Sequence, residues 1–458
     1  MKKRMNRRDF LRLSAGLAAG AVAAACAPAA PQVVEVEKQV PVREEVVKTV
    51  VVEKEVEKVV TATPGPAGPV EVVYLTWAGP EELKVMQQIT EAFEEANPNI
   101  KVKIEVPPEN YWDKLQTMVA GGVAPDIFRM DYVYMAVWGS KGVPIPLDDY
   151  IAQDIDLDTL YRGPFSGYSY EGKQYGLPQD VNTQVLFYNR DSFDAAGVDY
   201  PDESWKWDPD TGGDFLAACK KLTGENKWAY SQDWYWEPIA PWIWENGGDW
   251  YNEERTESTM SAPGTMSGLQ FLADLLLKYQ VSPTPAQMAG RDAPTLFGTG
   301  GIAMYQSGRW MVPTFRAIPD LKWDVAVLPE GPDGRATTLG GTASCISAQS
   351  KHKDEAWEYA KWYVGEMAQK LIAELAYSTP ILKKVVESKE FLESTPPENN
   401  KVWGQTLEWV RPMPVTKFFD QVDDIRGTEL TEVWTGRKSA EEACATMDEK
   451  INIILGAG

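Results

Sequence analysis

The sequence predicts an α/β fold, because patterns typical of strands and of helices alternate along the chain. A strand pattern over 70–76 precedes an amphipathic helix over 80–96, and a strand pattern over 100–106 precedes a helix over 111–120. A third strand begins at Ile127. Such alternation is typical of an open parallel or mixed sheet with helices on both faces. With 458 residues, of which 44% are apolar, the chain can form two sizeable cores.

The segment 171–193 decides between three interpretations of the chain. Its polar residues 179–184 run directly into the apolar residues 185–188, which are too few for a helix and predict a buried strand. We expect Asp191 to cap a short helix that ends at Gly197. A polar segment that leads into a buried strand suits a catalytic loop, a plain connector or a crossing between two lobes, and the segment alone leaves all three open.

Charge and composition argue against several classes of function. The formal net charge is −22, whereas nucleic-acid binding requires a basic surface. The single histidine, His352, is expected at a solvated helix start, so no His-based triad or His-rich zinc site is predicted. Cys219, Cys345 and Cys444 match no metal-ligand spacing, and we expect buried single thiols, with one disulfide as the alternative. The single histidine and the cysteine spacing therefore predict no metal site. No cofactor is expected either, since no nucleotide-binding glycine motif is present.

The N-terminal region predicts export and membrane attachment. Residues 1–25 have the features of a signal peptide, and 7–11 resemble the twin-arginine motif. Cys26 follows three alanines, as in the lipobox of bacterial lipoproteins, although an ordinary Ala-x-Ala cleavage site is the alternative. Residues 27–69 repeat a Val/Glu/Lys theme and end in Pro and Gly, which suits a solvated tether better than a coiled coil. We therefore expect lipidation of Cys26 and a folded body held outside the cytoplasmic membrane.

Aromatic residues point to a ligand site for flat polar rings. Eight of the 18 tryptophans lie within 205–250, and most of them are expected in a core. Trp234 and Trp236 are the expected exceptions, because a pyranose ring stacks on an indole while carboxylates accept its hydroxyl groups. Ligands of open α/β sheets bind beyond the carboxyl ends of strands. At these ends, Trp77 follows the first predicted strand, and Asp131 and Tyr132 follow the third, so all three are candidates for ligand binding.

Several motifs, in this order, resemble those of the family 1 extracellular solute-binding proteins of ABC importers. The resemblance extends from about residue 70 to the end of the chain. The motifs are Ala124-Pro125-Asp126-Ile127, Tyr175-Gly176-Leu177-Pro178, Phe187-Tyr188-Asn189-Arg190-Asp191, Gly301-Ile302-Ala303-Met304 with Gly308-Arg309-Trp310, Gly340-Gly341 before Ile346-Ser347, and Ser350-Lys351 with Ala356-Trp357.

The resemblance implies the two-lobe periplasmic-binding-protein fold, with the ligand in a cleft between the lobes. It favours a lobe crossing over the other two interpretations of 171–193. The implied first lobe comprises 70–182 and, after a crossover at 330–339, 340–377. The implied second lobe comprises 183–329 and 378–458.

Several ligand-binding residues are implied by the same resemblance. Sugar-binding members of the family use polar residues after the Gly-Leu-Pro break, here Asp180 and Asn182. They also use the Trp of the Gly-x-Trp turn, here Trp310, which spacing alone leaves open between core and ligand platform. A late aromatic segment supplies a further ring, for which Phe419 is the match.

The resulting expectation is a non-enzymatic, lipid-anchored binding protein that delivers a sugar or short oligosaccharide to an ABC permease. We expect it to act as a monomer. Two alternatives remain at this point. A family member could bind a peptide, a polyamine or a glycerol phosphodiester instead, and a secreted glycoside hydrolase would also use aromatic residues and two carboxylates.

Overall fold

The protein is built on two separate β-sheets, each of which forms the centre of one lobe. The computed structural model describes residues 68–108 and 110–456. The predicted signal peptide, the lipidation site Cys26 and nearly all of the predicted tether therefore lie outside the described residues.

The first lobe contains a five-stranded mixed sheet. Three neighbouring strands are parallel, Ala343–Ile346 pairs antiparallel with the last of them, and Gly176–Pro178 pairs antiparallel with Ala343–Ile346. The carboxyl ends of the three parallel strands consequently lie at one edge of the sheet, where the sequence predicts ligand-binding residues. The strand order is Ile100–Glu105, Val70–Leu75, Ile127–Met130, Ala343–Ile346 and Gly176–Pro178.

The second lobe contains a four-stranded sheet. Its strand order is Trp323–Ala326, Val185–Asn189, Ile302–Ser307 and Trp228–Gln232. Every residue of the Val185–Asn189 strand is buried, so the prediction of a buried strand in the segment 171–193 is confirmed.

The prediction that Asp191 caps the following helix is wrong. The helix is Arg190–Ala196, and the Asn189 side chain accepts a hydrogen bond from the Ser192 backbone N–H at 2.9 Å. Asp191 lies in the first helical turn and pairs instead with Lys322 at 2.9 Å. The helix ends as predicted at Gly197, whose φ of 61° favours glycine.

Helices surround both sheets. Pro80–Ala96 and Tyr111–Ala120 have the predicted boundaries. The described α-helices are Pro80–Ala96, Tyr111–Ala120, Met135–Ser140, Asp148–Asp154, Arg190–Ala196, Gly213–Leu222, Trp236–Trp244, Pro263–Leu277, Pro285–Met288, Ala293–Gly298, Val312–Arg316, Lys353–Val364, Glu366–Glu374, Lys383–Val386, Lys389–Leu392, Val402–Gln405, Phe419–Trp434 and Ala440–Gly456. Within the described chain, no helix has both the length and the apolar character needed to cross a bilayer.

The predictions for cysteine are confirmed. Cys219, Cys345 and Cys444 are all buried free thiols. His352 precedes the Lys353–Val364 helix at its N-cap position and is half-buried. It therefore lies at a helix start, as predicted, but is less exposed than a solvated surface residue.

The chain passes between the lobes through three segments, 180–184, 337–342 and 378–380, which we call the crossing segments. Asp180–Val181 pairs with Thr379–Pro380 in a short antiparallel ladder. Asn182 and Gly340 exchange two backbone hydrogen bonds, of 3.1 and 2.7 Å. The three crossing segments are thus bonded to one another between the two sheets.

The predicted lobe boundaries stay a prediction. The strands of the first sheet come from 70–178 and 343–346, and those of the second from 185–326. Beyond the third crossing segment, Lys383–Val386 and Lys389–Leu392 pack against Glu366–Glu374, a helix that itself packs on Pro80–Ala96 of the first lobe. These two short helices therefore contact the first lobe, although they lie in the part predicted for the second.

One buried side chain ties the ends of the crossing segments together. The Gln369 side-chain amide donates to the Gln179 carbonyl at 2.9 Å, just before the first crossing segment. Its carbonyl oxygen accepts from the Ile381 backbone N–H at 2.7 Å, just after the third. Gln369 is fully buried, so its loss would leave several backbone groups without partners.

We predict that Gln369→Ala lowers the free energy of unfolding by about 2–4 kcal/mol, because buried polar groups left unpaired each cost about 1–3 kcal/mol. Chemical denaturation measures the change. Met367→Ala is the matched control, since Met367 lies on the same helix and is 58% exposed. Equal stability of the two variants would contradict this account of Gln369.

Candidate functional site

A cavity of about 370 Å³ lies between the two lobes beside the crossing segments. Side chains from both lobes form its wall. On the first-lobe side these are Trp77, Glu82, Tyr111, Trp112, Arg129, Asp131 and Tyr377. On the second-lobe side they are Tyr235, Trp236, Glu237 and Trp310, and the crossing segments add Asp180, Asn182, Gly340, Gly341 and Thr342.

The cavity brings together six of the nine side chains predicted from the sequence to bind ligand. Although they come from five separate parts of the chain, all six line its wall. They are Trp77, Asp131, Asp180, Asn182, Trp236 and Trp310.

The other three predicted residues do not line the cavity. Tyr132 is buried, and its hydroxyl accepts a hydrogen bond from the Met413 backbone N–H at 2.7 Å. Phe419 is fully buried with its ring 6.2 Å from that of Trp236. Trp234 packs on Trp434 at 5.1 Å between ring centroids. Tyr132 and Phe419 thus support Trp236 from behind, and the expectation that these three side chains face the cleft is not met.

The position at which a helix begins explains why Trp236 lines the cavity and Trp234 does not. The Trp236–Trp244 helix begins at Trp236, which turns this ring toward the first lobe, where it meets Tyr132 edge-on at 6.1 Å. Trp234 lies before the helix, on the path from the Trp228–Gln232 strand. Neighbouring aromatic residues therefore have different surroundings because a helix begins between them.

Two aromatic wall residues were missed in the sequence. Tyr111 and Trp112 begin the Tyr111–Ala120 helix, and the Tyr111 ring lies 4.8 Å from that of Trp77 in an edge-on arrangement. Both follow the Ile100–Glu105 strand at its carboxyl end. The rule that selected Trp77 and Asp131 would also have selected them.

Arg129 was also missed in the sequence, and hydrogen bonds to three partners fix its position. Its guanidinium donates to the Trp77 carbonyl and to Glu82 at 2.7 Å each, and to the Tyr377 hydroxyl at 2.8 Å. The same group lies 4.6 Å from the centroid of the Trp77 ring. An arginine inside an otherwise apolar strand was the available signal in the sequence, since a buried charge requires partners.

Three carboxyl groups line the cavity without an ion-pair partner among the described residues, Asp131, Asp180 and Glu237. Burial raises the pKa of Asp131 to about 7 and that of Glu237 to about 8. Burial also raises the pKa of Asp180, against the lowering effect of Arg129. Glu237 was missed in the sequence, although it directly follows the predicted Trp236.

Gly340 leaves room for Glu237 at the crossing segments. A β-carbon at position 340 would lie 2.7 Å from Glu237 Oε1 and 3.4 Å from the Asn182 β-carbon. A side chain here would therefore displace the Glu237 carboxyl from the cavity floor. The Gly-Gly pair noted in the sequence has this steric role at its first position.

On the second lobe, a glycine likewise leaves room for a residue of the cavity wall, Trp310. It lies in the Arg309–Met311 turn after the Ile302–Ser307 strand and is half-buried. A β-carbon at Gly308 would lie 2.0 Å from the Trp310 ring. The glycine of the Gly-Arg-Trp motif thus lets the indole fold back beside its own turn and reach the cavity wall.

The cavity differs from a second depression of about 520 Å³, which lies on the second lobe alone. Lys221, Lys227 and the Gly298–Gly300 turn are among the residues that line it, and its one aromatic residue is Trp228. Among the described residues, no group of three or more His, Cys, Asp or Glu side chains is arranged to hold a metal ion. The cavity between the lobes is the site that combines aromatic rings, hydrogen-bond acceptors and residues of both lobes.

Comparisons with known proteins place the chain in a family. Residues 77–370 match the family model for bacterial extracellular solute-binding proteins. The arabinooligosaccharide-binding protein of Bacillus subtilis (strain 168) is 29% identical over 348 residues, which cover 72% of this chain and 77% of that protein.

Solved structures are similar over most of the chain. A Listeria monocytogenes ABC substrate-binding protein in complex with cycloalternan is 31% identical with a TM-score of 0.79, covering 85% of this chain and 99% of that chain. Maltose-bound T. maritima MalE3 is 22% identical with a TM-score of 0.74, covering 84% and 100% respectively, and shows the fold alone. The predicted two-lobe α/β fold is confirmed, and this chain belongs to the bacterial extracellular solute-binding proteins.

Proposed function

We propose that the protein binds a sugar or short oligosaccharide outside the cytoplasm and delivers it to an ABC permease. The observation that supports this most strongly is the composition of the cavity wall, which combines tryptophan and tyrosine rings with carboxyl and amide oxygens. Rings stack on the C–H faces of a pyranose, and the oxygens accept hydrogen bonds from its hydroxyls. Relatives named for binding arabinooligosaccharide, maltotriose and mannitol support the same ligand class.

Binding would be coupled to closure of the lobes. Trp77 and Asp131 belong to the first lobe, whereas Trp236 and Trp310 belong to the second. A solute that contacts both pairs interacts more favourably with the closed than with the open arrangement, and so shifts the population toward closure. Asp180 and Asn182 lie on a crossing segment and would contact the solute where the lobes meet.

The proposal includes no chemical step. Capture and release leave the solute unchanged, and in this respect the protein differs from the glycoside hydrolase considered above. Incubation with oligosaccharides followed by chromatography distinguishes the two functions. Release of shorter products would contradict the binding function.

We predict that Trp310→Ala weakens saccharide binding about tenfold or more, because it removes a ring from the cavity wall. Isothermal titration against neutral mono- and oligosaccharides, including arabinotriose and maltotriose, measures the change. Trp362→Ala is the matched control, since Trp362 is also half-buried but packs on Phe93 outside the cavity.

Two results would contradict the proposed site or function. Equal affinities of the two tryptophan variants would place the ligand elsewhere. Binding of no saccharide by the wild-type protein would contradict the sugar assignment, in which case the same titration with peptides, spermidine and glycerophosphocholine identifies the alternative solute class.

We also propose that Cys26 is lipidated and attaches the protein to the outer face of the membrane as a monomer, with 27–69 as the tether. The alanines before Cys26 and the extracellular family support this arrangement. We predict that cells incorporate labelled palmitate into the wild-type protein and that Cys26→Ala abolishes the labelling and releases the protein from membranes. Labelling that persists in Cys26→Ala would contradict this attachment site.

A further inference from the structure

The charged side chains of the cavity wall are unevenly balanced. Arg129 is the one basic residue among the lining residues, and Glu82 pairs with it at 2.7 Å. Asp131, Asp180 and Glu237 remain, and none of them forms an ion pair with a described residue. The cavity wall therefore contains one ion pair and three further carboxyl groups that no described basic side chain balances.

The buried polar atoms that lack a partner are mainly acceptors. Asp180 Oδ2, Asn182 Oδ1 and Glu237 Oε1 have no hydrogen-bond donor among the described residues, and these three side chains are 1%, 4% and 7% exposed. Among the donors of the lining residues, Arg129 Nε is buried and likewise lacks a hydrogen-bond partner. A solute that satisfies these atoms must therefore offer more hydrogen-bond donors than acceptors at this end of the cavity.

The carboxyl groups approach one another across the cleft. Asp131 follows the Ile127–Met130 strand of the first lobe, and Glu237 belongs to the Trp236–Trp244 helix of the second. Burial and, after it, the charge of Asp131 raise the pKa of Glu237, so the two groups repel each other whenever both are ionised. Closure on a neutral solute would bring these like charges into a drier environment, which is unfavourable.

A cation would reverse this effect. An ammonium group offers three donors and no acceptor, and its hydrogen bonds to carboxylates are stronger than those of a hydroxyl. The aromatic rings of the wall also suit a cation, as the contact between Arg129 and Trp77 already illustrates. Wall chemistry and lobe closure therefore favour the same kind of solute.

We propose that the preferred solute is a saccharide that bears a protonated amine, with its ammonium group among Asp131, Asp180 and Glu237. This inference rests on the proposed sugar-binding function and specifies the solute class of the same cavity. The sugar ring would stack on the aromatic wall, while the amine would occupy the acidic floor beside the crossing segments.

Matched pairs of sugars test the inference, because each pair differs only in having an amine or a hydroxyl at position 2 of each ring. Glucose with glucosamine, galactose with galactosamine, and cellobiose with the β-1,4-linked glucosamine dimer replace a hydroxyl by an amine at position 2. Isothermal titration at pH 7.5, where the Asp131 carboxyl with its pKa of about 7 is mostly ionised, is expected to give about tenfold or more tighter binding for the amine-bearing member of at least one pair, since a bound ammonium also favours the ionised form of Glu237. Spermidine serves as an amine without a sugar ring, and we expect it to bind more weakly than that amino sugar.

Variants connect the preference to the named carboxyl groups. Glu237→Gln is expected to reduce the ratio of amine to neutral affinity to about threefold or less, because it removes the charge while keeping the shape. Asp131→Asn provides a second test if Glu237→Gln fails to fold. Glu225→Gln is the control, since it makes the same change at an exposed residue outside the cavity, and it should leave the ratio unchanged.

The outcomes separate this inference from the function on which it rests. If neutral sugars bind and no amine-bearing partner binds more tightly, the inference is wrong while the sugar-binding function stands. A preference that persists in both Glu237→Gln and Asp131→Asn would also overturn it. Tighter binding of spermidine than of any saccharide, or no binding by any sugar, would contradict both proposals.

Discussion

The hydrogen bonds that join the three crossing segments are the constraint on which the site depends. Asn182 and Gly340 exchange backbone hydrogen bonds, and Thr342 donates its backbone N–H to the Asp180 carboxyl at 2.6 Å. These contacts place residues of the first and second crossing segments on the floor of one cavity. Because each crossing segment continues directly into a sheet or a packed helix, movement of either lobe changes the cavity while its floor stays bonded.

The same constraint explains the electrostatics of the cavity. Asp180 and Glu237 are held where water is largely excluded, and Asn182 shares their surroundings at Gly340. Arg129 cannot neutralise all three unpaired carboxyl groups, because Glu82, Tyr377 and the Trp77 carbonyl already fix its position. A fixed cation on one wall and unpaired carboxyl groups beside the crossing segments give the site an uneven charge distribution, which aromatic rings alone would not provide.

Local sequence patterns were sufficient for much of the fold but for only part of the site. Periodicity located the Pro80–Ala96 and Tyr111–Ala120 helices and the buried Val185–Asn189 strand, since each depends on nearby residues. Trp234 and Trp236 could not be distinguished in this way, because which ring faces the cleft depends on where a helix begins. Glu237 was missed for a different reason. One carboxyl among 67 acidic residues becomes recognisable only when tertiary contacts bring it to Gly340.

Hydrogen–deuterium exchange with and without a bound saccharide tests most directly whether the cavity between the lobes is the binding site. We predict slower exchange of backbone amides in 129–131, 180–182, 235–237 and 340–342 together, because these segments line the cavity from the first lobe, the crossing segments and the second lobe. Protection confined to one lobe, or centred on the depression at 221–228 and 298–300, would contradict it.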